Sequence, residues 1–168
     1  NNMSFAKIYT RGLLGLHAPQ IEVEVHISSG LPSLTIVGLP EAAVRESKDR
    51  VRSAIVNSGF QFPSKRLTIN LAPADLPKDG SRLDLPIALG ILIASGQLPE
   101  NSTDGFEFIG ELALDGHLRP VSGTLTIAMA CQQAQHRLLL PVANLDEANQ
   151  LPNFQVYGAT HLKEVCAH

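Results

Sequence analysis

The chain has 168 residues, enough for one domain that buries on the order of 70% of its unfolded surface. Its hydrophobic content of 44% and charged content of 17% are those of a folded protein, and with no Trp the core must rest on Leu, Ile, Val and Ala. A net charge of −3 excludes a global attraction to nucleic acid or anionic membrane, so any such contact needs a local patch.

In chain order, Phe5 to Thr10 reads as a short strand, followed by a link through Gly12 and Gly15. Ile21 to Ile27 alternates strictly, placing Ile21, Val23, Val25 and Ile27 on one face and Glu22, Glu24 and His26 on the other. That is the pattern of an antiparallel strand with one wet side. Ser28 to Pro32 turns the chain, and Leu34 to Val37 is expected to return as a third strand. Pro40 suits the first turn of a helix ending at Gly59, with Val44, Val51 and Ile55 as its core stripe. Arg45, Lys48, Arg50 and Arg52 on that helix face Glu41, Glu46 and Asp49, and Glu41–Arg45 and Glu46–Arg50 have i,i+4 spacing.

Arg66 to Leu71 alternates again. A loop rich in Pro, Asp and Gly then runs to Asp84 and opens an almost wholly apolar block, Leu85 to Ser95. Asp84 is placed to cap this block as a helix, Pro86 falls where a missing N–H costs nothing, and Gly96 supplies the left-handed end. Apolar on every face, the helix is expected to be buried, and it is well short of the roughly 20 residues that span a bilayer.

Phe106 to Leu114 reads as a strand, Asp115-Gly116 as a hairpin turn with positive φ at both positions, and His117 to Val121 as its return arm. A helix is expected from Thr124 to Gln135 with Ile127, Cys131 and Ala134 inward. Leu138 to Leu140 is a buried strand, Asn144 with Glu147 a capping pair for a brief helix, and Phe154 to Tyr157 a last strand. A helix starting at Thr160 runs into the final residues Cys166-Ala-His168, an abrupt ending that predicts a longer polypeptide. Met3 is read as the native start, with Asn1-Asn2 as a remnant. An antiparallel front and a parallel tail from Leu138 onward argue an α+β fold with a mixed sheet and packed helices. Cys131 and Cys166 lie in apolar helical contexts and read as reduced, buried thiols. No targeting or membrane segment is recognisable, which predicts a cytoplasmic protein.

Longer blocks carry a resemblance that covers essentially the whole chain. Leu76-Pro-Lys-Asp-Gly80, Gly110-Glu-Leu-Ala-Leu-Asp-Gly-His-Leu-Arg-Pro-Val-Ser-Gly123 and Leu138-Leu-Leu-Pro141 resemble the proteolytic domain of Lon-type proteases. Val37-Gly-Leu-Pro-Glu41, Asp49-Arg-Val-Arg-Ser-Ala54 and Ile69-Asn-Leu-Ala-Pro-Ala-Asp-Leu-Pro77 resemble more closely the Lon-like N-terminal domain of the ComM/YifB family, also described as "magnesium chelatase, ChlI-like". The resemblance implies a ribosomal protein S5 domain 2-like fold over residues 3–168. It also implies a parent that is a hexameric AAA+ motor similar to helicases driving branch migration in natural transformation and recombination. The partners it implies are the AAA+ domain of the same polypeptide, further copies in a hexamer and DNA, with no membrane.

Lon-type peptidases use a Ser–Lys dyad, in which the amine eases deprotonation of the hydroxyl. The resemblance places the serine at Arg82 and the lysine at Ile127, so no catalytic residue is expected. Ser81 with Lys78 is the alternative, a degenerate serine hydrolase; a pure protein-interaction module is the third reading. The sequence holds no Gly-x-x-x-x-Gly-Lys-Ser/Thr loop, so ATP and Mg²⁺ are expected only in a motor beyond residue 168, with no cofactor in this domain. His161, Cys166 and His168 come nearest to metal-ligand spacing but read as a frayed helix end, and no metal is expected. The candidate DNA-contacting residues are Lys65, Arg66, Lys78, Arg82, Arg45 and Arg52, as phosphate partners. Against this, Arg66 can point to solvent and Arg82 can pair with Asp79 or Asp84. Asp75, Asp79 and Asp84 form either an acidic cluster or a set of turn caps.

Overall fold

A computed structural model describes residues 4–167. The expected start at Met3, and His168 of the expected helix end, lie outside these residues. The chain builds nine strands and six α-helices among the described residues, β1 (Phe5–Arg11), β2 (Gln20–Ser28), β3 (Ser33–Val37), α1 (Ala42–Arg45), α2 (Ser47–Asn57), β4 (Arg66–Ala72) and α3 (Asp84–Ala94) coming first. They are followed by β5 (Phe106–Phe108), β6 (Glu111–Leu112), β7 (Leu118–Arg119), α4 (Thr124–Gln133), β8 (Arg137–Pro141), α5 (Leu145–Ala148), β9 (Val156–Ala159) and α6 (Leu162–Cys166).

Seven strands form one mixed sheet in the order β3-β4-β2-β1-β5-β8-β9, and β6 pairs with β7 as a separate ribbon. The alternating segments behave as their pattern predicts. Val23 and Val25 of β2 and Ile69 and Leu71 of β4 are fully buried, and β2 runs antiparallel to both β1 and β4. The front is nevertheless not all antiparallel. β4 pairs with β2 along its whole length, so β3 is displaced to the outside and pairs parallel with β4. The parallel part also begins earlier than Leu138: β5 lies parallel to β1 and to β8, and β8 parallel to β9.

All eleven residues of α3 are buried, against β1, β2 and α2. Gly90 is required there, because a Cβ would sit 2.6 Å from the Val25 side chain of β2. Gly96 takes φ +79 as the left-handed end, as its position predicted. Val44, Val51 and Ile55 are all fully buried, but the first helix is broken: Glu46 lies between α1 and α2.

The strand expected over Phe106 to Leu114 is two strands. At Ile109-Gly110 the chain leaves the sheet, and Gly110 bonds instead to the loop before α3, its N–H donating to the Arg82 carbonyl and its carbonyl accepting from Leu85 N–H. The hairpin after it exists, but only Gly116 has positive φ (+97). Gly116 N–H bonds the Ala113 carbonyl, so Leu114 and Asp115 make an ordinary turn and glycine takes the left-handed position that follows. Ile127 and Cys131 of α4 point inward, while Ala134 falls past the helix end and is exposed. Asn144 does not cap α5; its amide bonds both the N–H and the carbonyl of Val121. The last helix begins at Leu162, with the His161 side chain accepting from Lys163 N–H. Among the described residues no helix is long and apolar enough to cross a membrane.

Candidate functional site

β4 delivers the chain to one end of the sheet, where residues 73–83 coil before entering α3. A buried carboxylate organises that end. Asp84 was expected to cap α3, but it lies within the first turn, is fully buried and caps nothing. Its oxygens accept from Ser47 Oγ at 2.5 Å, Arg50 Nε at 2.6 Å, Arg50 Nη2 at 3.1 Å and Leu112 N–H at 3.0 Å. A carboxylate this deep requires such donors, because burying an unpaired charge costs several kcal/mol. Burial pushes the Asp84 carboxyl up, against the pull of Arg50, Ser47 and Leu112, and the bond to Asp84 holds the Arg50 guanidinium above its ordinary value. One side chain thus joins α2, α3 and β6 beneath the loop.

Above this brace the loop side chains are committed to one another. Ser81 Oγ donates to Glu111 Oε1 at 2.5 Å, and Arg119 Nε lies 3.9 Å from the other Glu111 oxygen. Lys78, 1% exposed, donates its ammonium to the Pro73 carbonyl of its own loop, and burial lowers its pKa while Asp75 opposes that shift. Its backbone clips the loop to the segment after β3, accepting from Glu41 N–H and donating to the Leu39 carbonyl. Arg82, 8% exposed, donates to the Asp79 carbonyl at 3.2 Å and lies 3.6 Å from the Asp79 carboxylate. Burial lowers its pKa, and its Nε is buried without a hydrogen-bond partner. Of the two carboxylates available to Arg82, Asp79 is the one engaged; Arg50 occupies Asp84. The three loop aspartates therefore do not form one acidic cluster. Ile127 is fully buried in a second core cluster with Ala128, Cys131 and Leu138.

The remaining candidate cations lie elsewhere. Lys65 and Arg66 are exposed at the start of β4, roughly 20 Å of strand from the loop. Lys65 lines a polar groove with Ser28, Ser64, Gln61 and Gln97. Arg45 is exposed and donates to the Pro40 carbonyl, while Arg52 stacks on Phe62 with its guanidinium carbon 4.2 Å from the ring centroid. The structure therefore brings Lys78, Arg82 and Ser81 into one loop, and leaves Lys65 with Arg66, and Arg45 and Arg52, on separate surfaces.

A second buried carboxylate escaped the sequence reading. Glu107 of β5 accepts from Arg11 through Nε at 2.7 Å and Nη2 at 2.9 Å, and lies 2.7 Å from His136 Nδ1. Cys131 donates to it at 3.2 Å. Burial pushes Glu107 up, but the donors from Arg11 and His136 outweigh it and hold the carboxyl below its ordinary value. The signal was present: a glutamate between Phe106 and Phe108 in a buried strand needs a cation. Both cysteines are free; burial pushes the Cys131 thiol up, and Cys166, partly buried, to about 12. No group of three or more His, Cys, Asp or Glu able to hold a metal occurs among the described residues. His161 is committed to Lys163 N–H through Nδ1 and to the Asp115 carbonyl through Nε2, and the first bond makes Nε2 the protonated donor.

Comparison with known proteins bears on the whole chain. The family model described as subunit ChlI of Mg-chelatase matches residues 23–144. The chain is 52% identical over 165 residues to the uncharacterized protein YifB of Escherichia coli (strain K12), covering 98% of this chain and 33% of that protein. It is 48% identical over 163 residues to the competence protein ComM of Haemophilus influenzae, covering 97% of this chain and 32% of that protein. More distantly, it is 29% identical over 142 residues to a Lon protease of Chloroflexus aurantiacus, covering 79% of this chain and 17% of that protein. The chain therefore spans about a third of the length of the YifB and ComM relatives. With the match to the ChlI model and to those relatives, the chain belongs to the ChlI-like ComM/YifB family.

Proposed function

We propose that this chain is a non-catalytic N-terminal domain of a ComM-type AAA+ DNA helicase, serving hexamer assembly and presenting a DNA-facing or partner-facing surface. ATP and Mg²⁺ would be bound by a motor domain outside this chain, and the protein would work in the cytoplasm. The family membership and the name of the competence relative support the parent class. The mixed sheet with packed helices and the more distant likeness to a Lon protease support an S5 domain 2-like fold.

The observation that carries the non-catalytic reading is the occupancy of the two dyad positions. Arg82 and Ile127 are buried, and neither can act as a nucleophile or as a free amine. The Ser81 alternative finds little support: its hydroxyl donates to Glu111, while the Lys78 ammonium donates to Pro73. A working dyad needs the two groups within hydrogen-bond reach of each other.

With Lys78 and Arg82 buried, the exposed candidates Lys65 and Arg66 beside the polar groove, and then Arg45 and Arg52, are better placed to serve as phosphate partners. An anisotropy titration with single-stranded and forked DNA at low and moderate salt tests this role, since electrostatic binding is strongest at low salt. Salt-sensitive binding that weakens in the double variant Lys65→Glu/Arg66→Glu is expected, with the salt slope falling by about 1 for each phosphate no longer neutralised. An absence of binding at low salt would confine the domain to assembly.

A further inference from the structure

β3 is an edge strand: among the described residues it pairs with β4 on one side and with no strand on the other. Such edges are usually kept short or blunted by a lysine, a proline, an inward charge or a covering loop, because a bare row of N–H and C=O groups invites another strand; β3 has five residues, with Pro32 and Pro40 beyond its ends. Here the stretch Gly30-Leu-Pro-Ser-Leu-Thr-Ile-Val-Gly-Leu-Pro40 contains no charged residue. Leu31 is 87% exposed and Leu39 51% exposed.

The same stretch is pseudo-symmetric about Thr35. Gly-Leu-Pro precedes the strand at residues 30–32 and recurs after it at residues 38–40, although the chain turns out of the strand at Gly38 (φ +106) and Leu39 (φ +58), so only Ser33–Val37 can pair. The backbone fits the same centre. Ser33 N–H donates to the Lys65 carbonyl, so Ser33, Thr35 and Val37 turn their amides toward β4, and Leu34 and Ile36 turn theirs outward. In an antiparallel pairing centred on Thr35, Leu34 of one copy falls opposite Ile36 of the other. Those two residues carry the outward donors and acceptors, and they would exchange both bonds in each of two symmetric pairs. Thr35 then faces its own counterpart as a non-hydrogen-bonded pair with Cα atoms about 4.5 Å apart. Its exposed side chain meets an identical hydroxyl, a favourable cross-strand pair.

The geometry points to β3 as a self-recognition edge, through which a second copy of this chain docks by two-fold antiparallel strand pairing centred on Thr35. A contact of this size is small, and the dimer is accordingly reversible. The inference rests on the edge alone and does not require the motor reading.

Sedimentation equilibrium over a wide concentration series tests the proposal. The mass should rise from 18.0 kDa toward twice that value. Thr35→Lys, which sets like charges face to face at an exposed site, should remain monomeric at every concentration with an unchanged melting temperature, and mixing it with Thr35→Glu should restore the dimer. In a Cys166→Ser background, Thr35→Cys should oxidise to a covalent dimer. Ser33→Cys should not, because its counterpart lies about 13 Å away along the paired strand. A wild type that stays at 18.0 kDa while Thr35→Cys fails to cross-link would overturn the proposal. So would a dimer indifferent to Thr35→Lys, or one that Ser33→Cys cross-links equally well.

Discussion

Two lysine–arginine groups flank β4, and the strand that separates them decides what each can do. At its start, Lys65 and Arg66 stand in solvent beside a polar groove; at its end, Lys78 and Arg82 are folded into their own loop. In sequence the four cations look equivalent. In space one pair is available to an outside anion, while the other satisfies loop carbonyls and Asp79. The difference arises in the loop after β4, where Lys78 bonds to the Pro73 carbonyl and Arg82 to Asp79; Asp84, at the end of that loop, ties α2 and β6 to the start of α3.

The largest effect should come from cutting that brace. Asp84→Ala leaves Arg50 facing a buried cavity without its partner and removes the acceptors of Ser47 and Leu112 N–H. Chemical denaturation should register a loss of about 3–5 kcal/mol. A loss under about 1 kcal/mol would mean that the loop end is held by packing alone.

Next comes Glu107, which ties β5 to β1 and to α4. Its folded pKa is depressed below the ordinary carboxyl value, so its contribution is fully present above pH 4.5 and is lost as pH falls through the folded value. Urea midpoints of the wild type should therefore fall from pH 6 toward pH 3 more steeply than those of Glu107→Gln. Parallel profiles would show that the Arg11–Glu107 pair does not carry the acid sensitivity.

Lys78 should give the smallest effect, and one of opposite sign. Its ammonium is buried against one carbonyl, so Lys78→Met exchanges a costly charge for apolar contact and should stabilise the chain by roughly 1 kcal/mol. A marked destabilisation would show instead that the bond to Pro73 holds the loop.

The parts that rest on periodicity were legible in the sequence. β2, β4 and α3 appear within a residue or two of their patterns, because alternation and an unbroken apolar block each have one packing solution. Strand neighbours were not legible: nothing local in Leu34 to Val37 distinguishes pairing with β4 from pairing with β2. The break at Glu46 has neither Gly nor Pro to announce it, and Phe106 to Leu114 reads as continuous although Gly110 turns it out of the sheet.

At the site, an aspartate just before an apolar block satisfies the capping pattern and the buried-brace pattern equally well. Ser47, four residues before Val51 on the inner face of α2, was the clue to the second. The identities at Arg82 and Ile127 were readable directly. Burial of Lys78 was not, since it depends on the loop coiling back over its own side chain.

The central claim, that this scaffold works without a reactive serine, is tested most directly by intact-mass analysis after incubation with a fluorophosphonate probe. The account predicts an unmodified wild-type chain at neutral pH, because the Lys78 ammonium donates to the Pro73 carbonyl and is not placed to take the Ser81 proton. An adduct that maps to Ser81 and disappears in Ser81→Ala would contradict it.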